Sequence, residues 1–270
     1  MKHPFRFPLW LVALLLIGAL NSCKENEGVI FSPQDDIKLG EQLAHEVDAT
    51  YRAKGQLLDH NSSNVAVQQA YASLDRIVNR ILNSGEVKYR NDFPWTVTLL
   101  KDDGNLNAFA TPGGHLYVFS GLLKSVAAED RLAGVLAHMI AHADRRHSVQ
   151  QLQREYGIAI LLSVALGNDP GTGKQIAAQL EGTMAGLQFS PTAETEAHTY
   201  ARQYLKGTNY YDYDATAGFF VHANKETQPD TSPGSLQPAP ESHVKEKKPA
   251  AIKVAPDADL TALKTALNNL

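Results

Sequence analysis

Two histidines four residues apart, His138 and His142, lie in the stretch LAGVLAHMIAHADRRHS (132–148), whose apolar residues recur at helical spacing. On a helix of 3.6 residues per turn they stand ~40° apart around the axis and one turn apart along it. Both imidazoles can therefore meet one metal ion. Two polar side chains on a helix surface would satisfy the same spacing, so a metal site needs a further ligand. The stretch SPTAETEAHTYARQYL (190–205) supplies Glu194 near the start of another helical pattern, with His198 four residues later on the same face. A divalent ion on such donors lowers the pKa of a bound water, and a neighbouring carboxylate can then take the proton. Directly after the first histidine, however, stands Met139. A thioether cannot accept that proton at neutral pH. Asp144, six residues after His138, falls ~240° around the helix and points away.

These residues need elements to hold them. Ser32 can cap a helix that begins at Pro33 and carries Ile37, Leu43 and Val47 at helical intervals. A second helix spans 61–83, with Val65, Tyr71, Leu74, Ile77 and Ile81 on its apolar side. WTVTLL (95–100) and HLYVFS (115–120) have the β-branched and aromatic residues of strands, and NAFATPGG (107–114) between them carries the turn residues Pro112, Gly113 and Gly114. Helical pattern dominates from Glu129 to about Asn224, with a break at Gly167–Gly173 and a turn at Gln188–Pro191. The predicted fold is mostly α with a small antiparallel β-sheet beside the motif helix (α+β). From 225 to 256 the composition turns to Pro, Ser, Thr, Lys and Glu, as in a flexible linker. Residues 257–270 form a short amphipathic helix with Leu260, Leu263 and Leu267 aligned, either docked on the body or frayed.

With 270 residues and 43% hydrophobic content, the chain can bury one good core. A formal charge of −4, with no basic run longer than KEKK (245–248), argues against a nucleic-acid partner. The N-terminus reads as a targeting segment. Lys2 and Arg6 precede an apolar run at 8–20 that is too short to span a bilayer. It ends in LNSC, with the chain's one cysteine, Cys23. This resembles a bacterial lipobox, which implies a signal peptide at 1–22, lipidation of Cys23 and a tether at 23–31. Lys24 after the cysteine favours the outer membrane by the same resemblance.

Three stretches, NAFATPGGHLYVFSGLL, AEDRLAGVLAHMIAHADRRHS and FSPTAETEAHTYARQYL, resemble in content and order the HtpX/BepA-like zinc metallopeptidases of family M48. The resemblance covers roughly 32–224 and implies a zincin-like metallopeptidase fold. It implies His138, His142 and Glu194 as zinc ligands, Met139 in the place of the general-base glutamate, and His147 as a histidine that commonly follows the motif helix. It also marks Asn107, Ala108 and Phe109 as an edge where a substrate strand could add. Unfolded or envelope protein segments would then be the partners.

The departures from the family pattern are several. His198 stands where the family has the aspartate of Glu-x-x-x-Asp, so it serves either as a partner of a ligand or as an extra ligand. Ser190-Pro191 replaces a common Ser-Arg. LQPAPESHV (236–244) looks like a remnant of a Thr-His-Pro-x-x-x-x-Arg stretch, with Gln237 and His243 at the altered positions. Loss of a general base typically costs ~10²–10⁴ in rate, about 3–5.5 kcal/mol of barrier. Three readings stay open: an impaired peptidase-like protein that can still bind zinc and peptide, an active enzyme with another base, and a purely structural envelope lipoprotein without metal.

If Cys23 is acylated with two or more chains, anchoring is stable where a single chain is marginal. Cys23→Ser should then move the protein from the membrane to the soluble fraction on cell fractionation. Membrane retention of the variant would refute the anchor.

Overall fold

The computed structural model describes residues 29–181, 189–214 and 257–270. The signal peptide, Cys23, most of the tether, Gln188 and the 225–256 stretch with Gln237 and His243 lie outside the described residues. Helix α1, Pro33–Ala53, opens as its sequence requires. The Ser32 side chain accepts from the Asp35 backbone, the Asp35 carboxylate accepts from the Ser32 backbone, and Pro33 occupies the first turn. Leu39, Leu43 and Val47 are fully buried, while Ile37 is half-buried at the flank. Strand β1, Leu57–Leu58, leads to α2, Val65–Leu82, capped by the Asn64 side chain. Tyr71, Leu74, Ile77 and Ile81 point inward as expected. Val65, at the helix's first position, is instead 63% exposed.

Strands β2 (Thr96–Leu100), β3 (Ala108–Ala110) and β4 (His115–Phe119) complete a four-stranded sheet of order β1-β2-β4-β3. This sheet is mixed, not antiparallel as the sequence led us to expect. β1 and β3 are antiparallel to their neighbours, but β2 and β4 run parallel, with Thr96 opposite His115 and Leu100 opposite Phe119. The reason is that part of the NAFATPGG stretch is a strand and not only a turn. The chain leaves β2, passes to the far edge as β3, reverses at Pro112–Gly114, and returns as β4 between the two. Two reversals restore the original direction. The reversal is tightly built: Gly113 has φ 73°, and a Cβ on Gly40 of α1 would lie 1.9 Å from the Pro112 carbonyl oxygen. Only glycine at position 40 lets α1 pack on this turn.

After β4 come α3 (Ser120–Ser125), the motif helix α4 (Glu129–Asp144), α5 (His147–Tyr156), α6 (Ile158–Ala165), α7 (Pro170–Glu181) and α8 (Pro191–Thr208). The break expected at Gly167–Gly173 falls instead at Leu166–Asp169, since α7 already begins at Pro170 and runs through Gly171 and Gly173, and further breaks fall at Arg145–Arg146 and Gly157. The helix α9, Ala258–Asn268, is docked. Leu260, Leu263, Ala266 and Leu267 are buried in one core with α2, α4, α8 and one face of the sheet. A second core joins α1, the other sheet face and helices α5 to α7. Among the described residues no helix is long and apolar enough to cross a membrane.

Helix α4 is pinned at both ends by buried polar groups. Its N-cap, Ala128, has no side-chain acceptor, and the distant Asp257 accepts from the Glu129 backbone N–H at 2.6 Å. The Glu129 carboxylate in return accepts from the backbone N–H groups of Asp259 and Leu260, the first turn of α9. Two helix N-termini thus cap each other, satisfying donors that neither helix satisfies alone. Arg80 of α2 ties the pair together, donating to Glu129 and Asp259. At the other end the Asp144 carboxylate accepts from the backbone N–H of Lys88 and Tyr89 and from the Tyr204 hydroxyl. Just beyond, Arg146, in left-handed conformation at φ 62°, makes a two-pronged ion pair with Asp36 of α1.

Asp36 is 1% exposed, so removing its partner strands a buried charge. Arg146→Ala should cost ~3–5 kcal/mol of stability. Asp36→Ala combined with Arg146→Ala should cost less than the sum of the single changes, because no lone charge remains. Urea denaturation of the four proteins measures this, and additive losses would show that the pair is not coupled.

Candidate metal centre

The centre forms where α4 and α8 lie side by side. Alanines recur every fourth residue on both helices, Ala133, Ala137 and Ala141 on α4 and Ala193, Ala197 and Ala201 on α8, and all are buried. Small side chains along a seam let two helices approach closely, and interaxial distance is set by the side chains at the contact. Each predicted ligand follows one of these alanines, so it stands at the seam's edge.

The structure brings His138, His142 and Glu194 together. The Nε2 atoms of His138 and His142 are 3.0 Å apart. Glu194 Oε2 lies 3.3 Å from His138 Nε2, and Glu194 Oε1 lies 3.7 Å from His142 Nε2. An ion with tetrahedral bonds of ~2.0–2.1 Å holds its donors about 3.3 Å from one another. The His138 and His142 nitrogens and the Glu194 carboxylate, with one oxygen toward each histidine, are therefore within reach of one ion. Two imidazole nitrogens facing each other at 3.0 Å also need a proton or a cation between them. The residues fit a divalent metal. His198 joins from the next turn of α8: one ligating atom from each of His138, Glu194 and His198 lies within 4.8 Å of the others.

Protonation favours the same use. Burial pushes the His142 imidazole down to about 3 and the His198 imidazole down to about 4. Both are neutral at pH 7 and keep the lone pair that a metal takes. Burial alone would raise the Glu194 carboxyl, but imidazole donors at His138 and His142 hold it well below the usual carboxylate range. It is an anion throughout.

Behind His142 stands a chain of supports that the spacing of the sequence did not disclose. His147 Nδ1 faces His142 Nδ1 at 3.1 Å, and His147 Nε2 has a longer contact of 3.4 Å with Glu196 Oε2. Arg145 Nε donates to the other Glu196 oxygen at 2.8 Å. When His142 offers Nε2 to a metal, its Nδ1 carries the proton and donates to His147, which in turn donates from Nε2 to Glu196. This network assigns both tautomers. Phe189, just before α8, stacks on the His142 ring with centroids 4.0 Å apart. Glu196 and Phe189 went unassigned in the sequence because Glu196 lies on another face of α8 from Glu194, and an aromatic residue before a helix is no signal by itself.

Met139 is buried in the main core cluster, 6% exposed. No carboxylate takes its place among the described residues. Asp144 is spent on the Lys88, Tyr89 and Tyr204 donors, and Glu196 is engaged by Arg145 and His147. The expected substrate edge is β3, the outer strand. Its ladder pairs Phe109 with Tyr117, and the Asn107 carbonyl accepts from the Phe119 N–H. The alternation of antiparallel pairing then turns the backbone of Ala108 and Ala110 outward. Asn107 Oδ1 accepts from the Ala108 N–H, while Asn107 Nδ2 donates to the Glu181 carbonyl at the end of α7. The Phe109 ring stacks on Tyr117 inside the second core.

The family model described as Peptidase family M48 matches residues 68–245 of this chain. The match continues through 225–245, which composition alone reads as linker. Mitochondrial metalloendopeptidase OMA1 of Schizosaccharomyces pombe is 33% identical over 124 residues, 46% of this chain and 35% of the relative. Beta-barrel assembly-enhancing protease of Escherichia coli K12 is 29% identical over 178 residues, 60% of this chain and 36% of the relative. The protein of the same name from Yersinia pestis is 28% identical over 181 residues, with 60% and 36% covered. The chain spans about a third of the length of these curated relatives.

Loss of a group that orients a metal ligand typically weakens binding ~10–100-fold. His147→Ala and Glu196→Ala should each lower zinc affinity in that range, measured by competition with a chromophoric chelator. Glu196 is partly exposed, so its removal should leave the fold intact. Unchanged affinity in both variants would mean that His142 is held without them.

Proposed function

The chain belongs to peptidase family M48, and on that footing we propose that it is a zinc-holding, hydrolytically impaired member that grips extended protein segments instead of cutting them. The observation that carries the reading is Met139, a buried apolar side chain directly after the first metal histidine. When bound, zinc would supply Lewis-acid chemistry, polarising a carbonyl and lowering the pKa of a coordinated water. His138, His142 and Glu194 would hold it, and His147 with Glu196 would keep His142 in the right tautomer.

Hydrolysis further needs a proton acceptor beside the ion and a donor to the leaving amine. Met139 can be neither, and the carboxylates nearby are committed elsewhere. Peptide binding has no such need. An extended segment can pair with the outward backbone of the half-buried Ala110, whereas Ala108 is buried with its N–H held by Asn107, and main-chain hydrogen bonds give affinity without chemistry. Asn107 supports this edge by tying the start of β3 to α7. The substrate class is then unfolded or envelope protein segments. The reading places the protein in a bacterial envelope, held there by lipid on Cys23, in keeping with its similarity to proteins named beta-barrel assembly-enhancing protease.

Zinc-loaded protein should bind an unfolded substrate such as reduced casein yet cleave it at least ~10²-fold more slowly than a Met139→Glu, His198→Asp double variant. Met139→Glu alone should recover little, and the double variant should exceed the sum of the singles. Chelator-sensitive cleavage by the wild type, absent in a His142→Ala control, would establish an active enzyme with another base.

A further inference from the structure

Helices α4 and α8 present their donors in one shared pattern. His138 and His142 stand four residues apart beside the alanines of α4. Glu194 and His198 stand four residues apart beside the alanines of α8. Residues at that spacing share a helix face, one turn apart. Each helix therefore offers a pair of donors to the same seam.

The geometry contains two groups of three. His138, His142 and Glu194 have ligand atoms 3.0 to 3.7 Å apart. His138, Glu194 and His198 have ligand atoms all within 4.8 Å. His138 and Glu194 belong to both groups, so an ion seated between those two has His142 and His198 as its further donors. The His138 and His198 rings lie with centroids 4.5 Å apart at 45°, tilted and not stacked flat, as two imidazoles do when they turn toward a common point. A contraction of His198 toward about 3.3 Å from its neighbours would complete a tetrahedron.

We infer that His198 is the fourth protein ligand of this centre, filling the coordination position that a catalytic zinc site leaves to water. The inference rests on the metal-binding reading given above. It adds that the shell is closed: three imidazoles and one carboxylate, with no coordinated water to activate. Structural zinc sites are four-coordinate with protein ligands alone, whereas catalytic ones keep an open position. Met139 and His198 then belong together. A shell without water has no use for a proton acceptor at 139, and an apolar side chain there meets the surrounding core without a desolvated charge.

The test is metal coordination, read without any peptidase assay. Protein purified without a histidine tag is loaded with Co(II) alone or with zinc alone, as wild type and as His198→Ala. X-ray absorption on the zinc form should count three imidazoles in the wild type and two in His198→Ala. The visible spectrum of the Co(II) wild type should keep its tetrahedral bands unchanged on adding azide. That of His198→Ala should shift with azide, since the lost ligand opens a position, and its affinity should fall at least tenfold. A wild type with two imidazoles and an azide-sensitive spectrum would overturn the closed shell while leaving a zinc-holding site in place. A wild type that takes up no stoichiometric metal would overturn the closed shell and the metal-binding reading together.

Discussion

Everything at this centre depends on how closely two helices can approach. The donors of one ion must come within about 3.3 Å of one another, yet they are carried on α4 and α8, which are separated by almost fifty residues of chain. The alanine seam sets that distance. Ala137, Ala141, Ala193 and Ala197 are buried on these helices, small enough to let the backbones approach, and Glu194 reaches both histidines. A larger side chain anywhere on the seam would part the helices by more than the tolerance of a coordination bond. Burial of these alanines is therefore a condition for the chemistry, not only a contribution to the core.

A seam fixes separation but leaves the helices free to slide. Sliding is opposed by the polar clamps at the two ends of α4. At its start, Glu129 and Asp257 cap each other's helices while Arg80 bridges the carboxylates of Glu129 and Asp259. At its end, Asp144 gathers two backbone donors and the Tyr204 hydroxyl from α8 itself. The Tyr204 bond is the most direct of these, because it locks the axial register of the two ligand-bearing helices. Buried polar groups of this kind contribute little net stability over apolar packing, but they are costly to mispair, and so they select one register over its neighbours. The Asp36–Arg146 pair extends the same control to α1, which packs on the turn between β3 and β4.

Much of this was legible in the sequence, and the limits are physical. Ser32-Pro33, the helical spacing of Leu74, Ile77 and Ile81, and the facing pair His138 and His142 were readable from local periodicity or capping chemistry, whereas Glu194, on a distant helix, was assigned through the family resemblance. The mixed sheet was not, since pairing depends on where a three-residue strand lies in space, and Ala108–Ala110 carries no alternation long enough to declare itself. Docking of α9 stayed open for a related reason. Its leucines announce an apolar face but not what covers it, and the deciding contact is Asp257 capping a helix 128 positions away. Glu196 was missed because its role comes from the partners of His147 and not from its offset to Glu194.

The chemistry of position 139 follows from these constraints. A glutamate there is tolerable in a working metallopeptidase because an adjacent cation and a coordinated water solvate it; elsewhere in a core the desolvation of a carboxylate is prohibitive unless it is neutralised. In this chain the neighbourhood of position 139 is the main apolar cluster, built from Leu136, Ile140, Val118 and Leu122 among others. Methionine fills such space with no polar demand and adapts its shape to gaps. On the closed-shell reading, an imidazole at 198 and a thioether at 139 remove a water and a charge from one small volume. Either change alone would leave the other poorly served: a carboxylate without the water it acts on, or an activated water without an acceptor for its proton. On that reading the two together suit a centre that is closed and packed rather than open and polar, with the seam, the clamps and the outer strand β3 kept as its frame.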